Sequence, residues 1–347
     1  MHNKNKNMKA VYLNSDNSLT IKSLTLNDLK DNEVQIKICA IGINPIDYQM
    51  RENEEERKYL FSPVLGRELS GVIVKKGIEV RILEVGDEVY CACGSLGSNG
   101  AYATHIQLPA DMVVKKPYNL TFEQAAAIPS VGITALQAVT RISPKKKDSV
   151  LVFGASGGVG LFIVKLLLSK GITNIFATVG NLENKEKLTA LGIDAAHIVL
   201  YKEVRFIKEE LCKLNNEKDF DCIFDCVGGK YAEYSSELIS VNGKYANITN
   251  FISLDILSNF FGKSSTIYNI SNYIYSADRD YKYFYDSLSI MKMLIEATTI
   301  SPPDIRVVGN LSTENIELSH EILKNNHTNG HKLIVTIENY ECNMQLR

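Results

Sequence analysis

The stretch Ser149-Val150-Leu151-Val152-Phe153-Gly154-Ala155-Ser156-Gly157-Gly158-Val159-Gly160 constrains this chain more than any other. Val150 to Phe153 is an unbroken apolar run, as a parallel strand covered on both faces requires. A glycine-rich turn follows, then a helix over roughly Val159 to Lys170. It sets Val159, Phe162, Ile163, Leu166 and Leu167 on one side, with Gly171 as its stop. Such a turn offers backbone N–H groups at a helix N-terminus, where the helix dipole favours negative charge, and so suits a pyrophosphate. Counted from Ala155, the motif is Ala-x-Gly-x-x-Gly. Gly157 takes the place that allows close approach of the pyrophosphate, and Gly160 the place that packs helix against strand. Ala155 takes the first place, where a small residue suffices. Ser156, Gly157, Gly158, Val159 and Gly160 are the expected phosphate contacts.

A glycine cluster alone is also found in plain turns; its surroundings give it meaning. Ile175 to Val179, Ala196 to Leu200, Cys222 to Val227 and a run around Tyr245 to Ile248 read as further strands. Between them lie helical stretches over Asn181 to Leu191, Glu203 to Leu214 and Tyr231 to Ile239. This alternation predicts a doubly wound parallel α/β sheet whose ligand sits beyond the C-terminal ends of the strands. The alternative is a sheet of the same kind that has lost its ligand.

The rest of the chain has another texture. Before about residue 129, short apolar segments alternate with turn residues: Ala10 to Leu13, Leu19 to Ile21, Val34 to Ile41, Gly71 to Val74, Asp87 to Ala92, Tyr102 to Gln107 and Met112 to Val114. That is an all-β pattern. Glu52 to Lys58 reads as a solvated charged surface, and Thr121-Phe122-Glu123-Gln124 as a capping box opening a helix. After about residue 285 come a helix, a strand near Ile305 to Val308, a helix over Thr313 to Lys324 and a final strand, Leu333 to Ile337. The expected division is 1–129 for a β-rich domain, 130–285 for the nucleotide-binding domain, and 286–347 returning to complete the first.

Charge and composition narrow the function classes. A formal net charge of −2 gives no reason to expect nucleic acid or an anionic membrane as a partner, and a small-molecule substrate remains. The seven cysteines and six histidines are scattered rather than arranged as a disulfide framework. No apolar run reaches membrane-spanning length, and the polar residues Met1 to Asn7 lack the core of a signal peptide. A reducing, cytoplasmic setting is expected.

Several segments in order now carry a resemblance. They are Gly42-Ile43-Asn44-Pro45-Ile46-Asp47-Tyr48, Gly66-Arg67-Glu68-Leu69-Ser70-Gly71, Val85-Gly86-Asp87-Glu88-Val89, Gly100-Ala101-Tyr102-Ala103 and Gln124-Ala125-Ala126-Ala127-Ile128-Pro129. Gly132-Ile133-Thr134-Ala135, the glycine turn, Asp225-Cys226-Val227-Gly228-Gly229 and Gly330-His331-Lys332-Leu333-Ile334-Val335 follow. Over about residues 8 to 338 the chain resembles the medium-chain dehydrogenase/reductase superfamily, in its zinc-independent quinone oxidoreductase-like branch. The resemblance implies a GroES-like β domain holding substrate, a Rossmann domain holding a nicotinamide cofactor, and a cleft between them. Zinc-dependent relatives carry Cys where this chain has Asn44, and Gly-His-Glu where it has Gly66-Arg67-Glu68. Neither Asn nor Arg replaces those zinc ligands, and Cys91 and Cys93 fall short of a four-cysteine structural site, so no metal is expected. Glu68 is left either to pair with Arg67 or to stay buried.

Without a metal, a substrate that accepts hydride readily is favoured: a quinone or an activated alkene, which delocalises the incoming charge onto oxygen. Asn44 is the first candidate for touching substrate or nicotinamide ribose, and Tyr48 is a possible donor or else a packing residue. No residue stands out as an obligate general acid. The second sheet strand ends Ala177-Thr178-Val179-Gly180-Asn181, without the acid that binds a ribose 2′-hydroxyl in NAD sites. Thr178, Asn181 and Lys185 are the expected contacts there; Lys185 suits a 2′-phosphate, or else decorates an exposed helix, and Glu183 argues the other way. Tyr201 matches the family's tyrosine near that phosphate, so NADPH is the expected cofactor. By resemblance, Thr134, Cys226, Val227, Ile248, Thr249 and Lys332 complete the cofactor contacts, with Cys226 as a small strand-end residue rather than a nucleophile.

Asn250 to Tyr285 is rich in aromatics and reads as an extra pair of packed helices, or as a pocket or subunit interface. Three functional readings stand: an NADPH-dependent quinone or enone reductase, an enoyl-thioester reductase of the same superfamily, and a non-catalytic NADPH-binding or trafficking-associated member. The resemblance also implies a homodimer.

Overall fold

The structure, a computed structural model, describes residues 7–94, 96–249 and 254–338. The chain divides into two compact units: Met1–Ser130 with Tyr273–Thr298 and Pro302–Arg347, and Val131–Asn272 with Thr299–Ser301. Residues 273–285, which the sequence pattern groups with the nucleotide-binding domain, therefore belong with the first unit; the return begins at Tyr273 rather than at 286.

The first limb runs β1 (Asn7–Leu13), β2 (Leu19–Thr25), β3 (Glu33–Gly42), α1 (Pro45–Glu52), α2 (Glu54–Arg57), β4 (Glu68–Lys76), β5 (Glu88–Cys91), β6 (His105–Pro109), β7 (Val114–Lys115) and α3 (Phe122–Ala126). Thr121 caps α3 in the expected box with Gln124. The second unit holds α4 (Pro129–Ile142, its first two residues in the first unit), β8 (Val150–Phe153), α5 (Gly158–Ser169), β9 (Ile175–Val179) and α6 (Leu182–Ala190). It continues with β10 (Ile198–Leu200), α7 (Ile207–Leu214), β11 (Phe220–Asp225), α8 (Lys230–Leu238), β12 (Ile239–Asn247), α9 (Leu254–Gly262) and β13 (Thr266–Asn269). The returning limb is α10 (Tyr273–Ala277), α11 (Tyr281–Glu296), β14 (Ile305–Asn310), α12 (Thr313–Lys324) and β15 (Lys332–Thr336).

In the first unit β1 and β2 form an antiparallel hairpin, and seven strands form one sheet in the order β14-β15-β3-β4-β5-β7, with β6 also on β3. The return is stitched in by β15, which runs antiparallel to β3 with Ile334 opposite Gly42 and Val335 opposite Ile41. This register sets Lys332, at the start of β15, beside the chain leaving β3 toward Asn44, and Ile43 N–H donates to the Leu333 carbonyl.

The second unit is a six-stranded parallel sheet, β10-β9-β8-β11-β12-β13. Counted from β8, that order is 3-2-1-4-5-6, the doubly wound arrangement in which the direction of winding reverses between β8 and β11. Every residue of β8 and β9 is buried, as strands covered by helices on both faces must be. Phe153, Phe176, Phe220, Tyr245 and Phe260 anchor the core on one side of the sheet. The aromatic stretch after β12 contributes α9, β13 and α10, so a short strand stands where only helices are expected; Asn250 and Phe251 lie outside the described residues.

Candidate active site

The glycine turn of the second unit joins β8 to α5 at the reversal point of the sheet. Gly154 has φ +72°, a left-handed conformation that glycine adopts without strain. The tight turn is therefore made one residue before Ala155, whose side chain is fully buried. Gly160 has no room for a side chain: a Cβ there would lie 2.2 Å from the Gly154 carbonyl oxygen and 2.9 Å from the Ala155 Cα. Gly157 caps α5, and its added Cβ would meet only the Gly154 oxygen, at 3.3 Å. A bare backbone thus fronts the first turn of α5, whose N–H groups at Gly158, Val159 and Gly160 have no partner within the helix. Ser156 lies in the same turn.

The neighbouring strand end holds the turn in place. Thr178, buried on β9, accepts from Gly154 N–H through Oγ1 at 3.3 Å, while its carbonyl takes Ala155 N–H. Asn181 caps α6 and accepts from Asn184 N–H at 2.9 Å. Lys185, half-buried on α6, donates Nζ to the Ile198 carbonyl at 3.1 Å. Glu183 is turned to Lys187 in an exposed ion pair, so no carboxylate sits at the β9 end itself. Tyr201 covers Gly180 so closely that a Cβ at 180 would fall 2.8 Å from its hydroxyl.

Across the reversal point, β11 ends at Asp225, two residues earlier than the apolar pattern suggests, and Cys226 and Val227 lie beyond it. Asp225 is fully buried and closes the turn: Oδ1 accepts from Val227 and Gly228 N–H at 2.9 and 2.8 Å, and Oδ2 from the Tyr245 hydroxyl at 2.8 Å. Burial, then the nearby Asp225 charge, drives the Cys226 thiol far above its usual range, which keeps it neutral and unreactive. Val227 is 41% exposed and would touch any side chain at Gly154, so an apolar surface flanks the turn. Ile248 and Thr249 follow the end of β12, with Ile248 N–H on the Asp225 carbonyl. Thr249 Oγ1 and Asn247 Oδ1 are buried with no hydrogen-bond partner among the described residues. Thr134 Oγ1 accepts from Asn272 Nδ2 at 2.9 Å. Orphaned polar atoms at the strand ends, a bare glycine turn and an acid-free β9 end fit a phosphorylated dinucleotide.

The first unit contains a buried polar cluster. Lys332 Nζ lies 2.6 Å from Glu68 Oε1 and donates to Asn44 Oδ1 at 2.5 Å. Asn44 Nδ2 donates to Glu68 Oε1 at 2.7 Å, and Ser130 N–H to Glu68 Oε2 at 2.7 Å. The side chains of Lys332 and Glu68 are 6% and 0% exposed. Local structure frees Asn44 for this: Asp47 supplies the reciprocal cap of α1, accepting from Asn44 N–H at 2.8 Å. Burial pushes Asp47 up to about 6 against the pull of that N–H and of the Arg67 and Lys332 charges. Glu68 thus pairs with Lys332 and not with Arg67. Lys332, which the resemblance sends to the cofactor, has its ammonium occupied by Glu68 and Asn44. Tyr48 is half-buried on α1 and lies within the electrostatic reach of Lys324; among the described residues no hydrogen bond joins it to the cluster.

Residues 30–118 match the family described as Alcohol dehydrogenase GroES-like domain, and residues 158–279 the family described as Zinc-binding dehydrogenase. The two matches fall in chain order, the first within the first unit and the second over residues 158–272 of the second unit with 273–279 of the first. The chain belongs to the medium-chain dehydrogenase/reductase superfamily. Among curated proteins of the superfamily it is 32% identical over 228 residues to NAD(P)H oxidoreductase RTN4IP1, mitochondrial, of Danio rerio, covering 60% of this chain and 56% of that protein. It is 33% identical over 225 residues to Highly reducing polyketide synthase phiA of Fungal sp. (strain ATCC 74256), covering 64% of this chain and 8% of that protein. The chain thus spans little more than half of one such relative and a small part of the other. The same fold occurs in the Escherichia coli quinone oxidoreductase complexed with NADPH, with a TM-score of 0.78 at 23% identity over 95% of this chain and 99% of that one.

The donor set in the first unit does not fit a catalytic zinc, which needs about three Cys, His or carboxylate ligands. Asn44 and Arg67 stand where the resemblance puts two of the zinc ligands, and both Glu68 oxygens are already taken. Among the described residues no group of three or more His, Cys, Asp or Glu side chains is placed to hold a metal, and no helix is long and apolar enough to cross a membrane. The features that escape the sequence are Gly154 as the turn residue, the Asp225–Tyr245 lock and the Lys332–Glu68 pair. A glycine directly after an apolar strand is a usable signal for the first; partners 264 positions apart leave none for the last.

Proposed function

We propose that the chain is an NADPH-dependent, metal-independent reductase of the quinone oxidoreductase-like branch, acting on a quinone or activated alkene. The observation that carries this reading is the bare Gly157 turn at the sheet reversal, beside a β9 end that has Tyr201 over Gly180 and no carboxylate. The second unit would hold the dinucleotide through the N–H groups of Gly158, Val159 and Gly160, with Lys185 and Tyr201 at the 2′-phosphate and Thr134, Val227 and Thr249 toward the nicotinamide. The bound cofactor supplies hydride. Asn44 offers the acceptor oxygen its second amide N–H, pre-oriented because Lys332 and Glu68 fix the amide plane. A quinone or enone needs no stronger polarisation, since it spreads the incoming charge onto that oxygen. The likeness to the NADPH-bound E. coli quinone oxidoreductase supports the cofactor; a homodimer is the expectation the resemblance carries.

An enoyl-thioester reductase is the second reading, favoured by the likeness to the polyketide synthase. Purified protein assayed for NADPH oxidation with quinones, enones and enoyl-thioesters separates the two. The cofactor arm is tested with Lys185→Ala: NADPH affinity falls by more than NADH affinity in a fluorescence titration. Equal losses for both would remove Lys185 from the site.

A further inference from the structure

A pocket in the first unit, with about 300 Å³ of open space counting its mouth, lies beside the polar cluster without including it. Met50, Leu60, Phe61 and Val64 make one apolar side of it, and Phe61 is 72% exposed. Arg67 is the one charged side chain among its described lining residues. It is half-buried, and among the described residues its guanidinium hydrogen-bonds only the Met50 sulfur, at 3.6 Å, a weak acceptor. No carboxylate pairs with it among the described residues; Asp47 feels its charge but accepts its own hydrogen bond from Asn44 N–H. The space before the guanidinium is kept clear by Gly94, at φ +46°, where a Cβ would stand 3.3 Å from Arg67 Nη2 and 3.6 Å from the Ser276 hydroxyl. On the outer side Tyr59 meets Tyr273 edge to face at 4.3 Å, next to Leu60 and Phe61.

A planar fork of donors without an acid partner, in a pocket walled by apolar side chains, is complementary to a flat molecule ending in an oxyanion. We propose that the Arg67 pocket is a specificity subsite for a flat, conjugated acceptor bearing a carboxylate or phosphate, with the Arg67 guanidinium holding the anion. That the bound molecule is reduced rests on the reductase reading above; that it is bound does not.

The test therefore begins with non-reducible probes. Calorimetric titration of the full chain should show 2-naphthoate binding at least about ten-fold more tightly than neutral 2-naphthamide, the ratio a charge-assisted hydrogen bond supplies. Arg67→Gln should erase that preference, and Arg67→Lys should keep part of it. Equal affinity of the native chain for the two probes, or a preference that survives in Arg67→Gln, overturns the proposal whether or not the variants fold well. The second arm uses acceptors: the kcat/KM ratio of 1,4-naphthoquinone-2-sulfonate to 1,4-naphthoquinone should fall by about ten-fold or more in Arg67→Gln. Arginine-dependent probe binding with no turnover of either quinone would sustain the subsite and sink the reductase reading alone.

Discussion

Replacing Lys332 by Met tests how the polar cluster holds itself together. The ion pair with Glu68 spans 2.6 Å between side chains 6% and 0% exposed, so neither charge is hydrated. Without the ammonium, Glu68 keeps the N–H groups of Asn44 and Ser130 but loses the one counter-charge in direct contact among the described residues. Breaking a buried pair from one side destabilises by about 3–5 kcal/mol, because the remaining charge is left uncompensated. Glu68→Gln, made alone, strands the Lys332 ammonium with the Asn44 oxygen and has a comparable effect. The double variant Lys332→Met/Glu68→Gln buries no ion there, so its loss should fall short of the summed single losses by about 2 kcal/mol or more. Urea unfolding followed by circular dichroism measures all three, since the chain contains no tryptophan. Additive single losses would refute the view that the cluster is one charge-compensated unit.

The glycine turn separates folding from binding. Gly160→Ala forces a Cβ to 2.2 Å from a backbone oxygen that cannot yield, and is expected to destabilise by about 1–3 kcal/mol in thermal unfolding. Gly157→Ala meets only one atom at 3.3 Å; it should leave the melting temperature nearly unchanged while weakening NADPH at least about ten-fold in a fluorescence titration. His320 carries an acid liability: burial, helped by the Arg51 charge, holds it down to about 3 while its Nε2 sits 3.2 Å from the Tyr102 hydroxyl. Its folded value lies below its unfolded one, so the unfolded chain binds the extra proton. Stability is intact above about pH 6.5 and is lost as the pH falls toward 3, by about 2 kcal/mol at pH 5. His320→Gln should remove that loss relative to the native chain in urea midpoints at pH 7.5 and 5; identical slopes for both proteins would clear His320. Asp47, raised to about 6, works in the opposite direction in both proteins and cancels in the comparison.

The parallel sheet is legible because its determinants are local. Val150–Phe153 is apolar throughout and Ile175–Val179 is apolar but for Thr178; both are fully buried, as strands with helices on both faces must be, and each is followed by a glycine-marked turn. β13 escapes because Thr266-Ile267-Tyr268-Asn269 is short, half polar and at an edge, where one neighbour and partial exposure remove the apolar signature. Cys226 and Val227 read as strand because the apolar run continues, whereas the Asp225 carboxylate ends the strand by capturing the next two free N–H groups. The polar cluster lies furthest from view. Asn44 and Glu68 are visible as departures from a metal-ligand pattern, but nothing near position 332 in the sequence points to them. Only the register of β15 on β3 brings its ammonium there.

That register also explains why the three residues work as a set. A buried lysine, a buried glutamate and a buried asparagine are each unfavourable alone, and each satisfies the other two. The amide of Asn44 is held at both ends, by an ammonium on its oxygen and a carboxylate on its nitrogen, so its remaining N–H has one direction. A donor fixed in this way needs no reorganisation when charge develops on an oxygen before it, as the metal-independent reduction proposed above would require. The requirement reaches back to the C-terminal limb: an enzyme that uses Asn44 this way cannot dispense with β15, although that strand contributes no residue to the glycine turn.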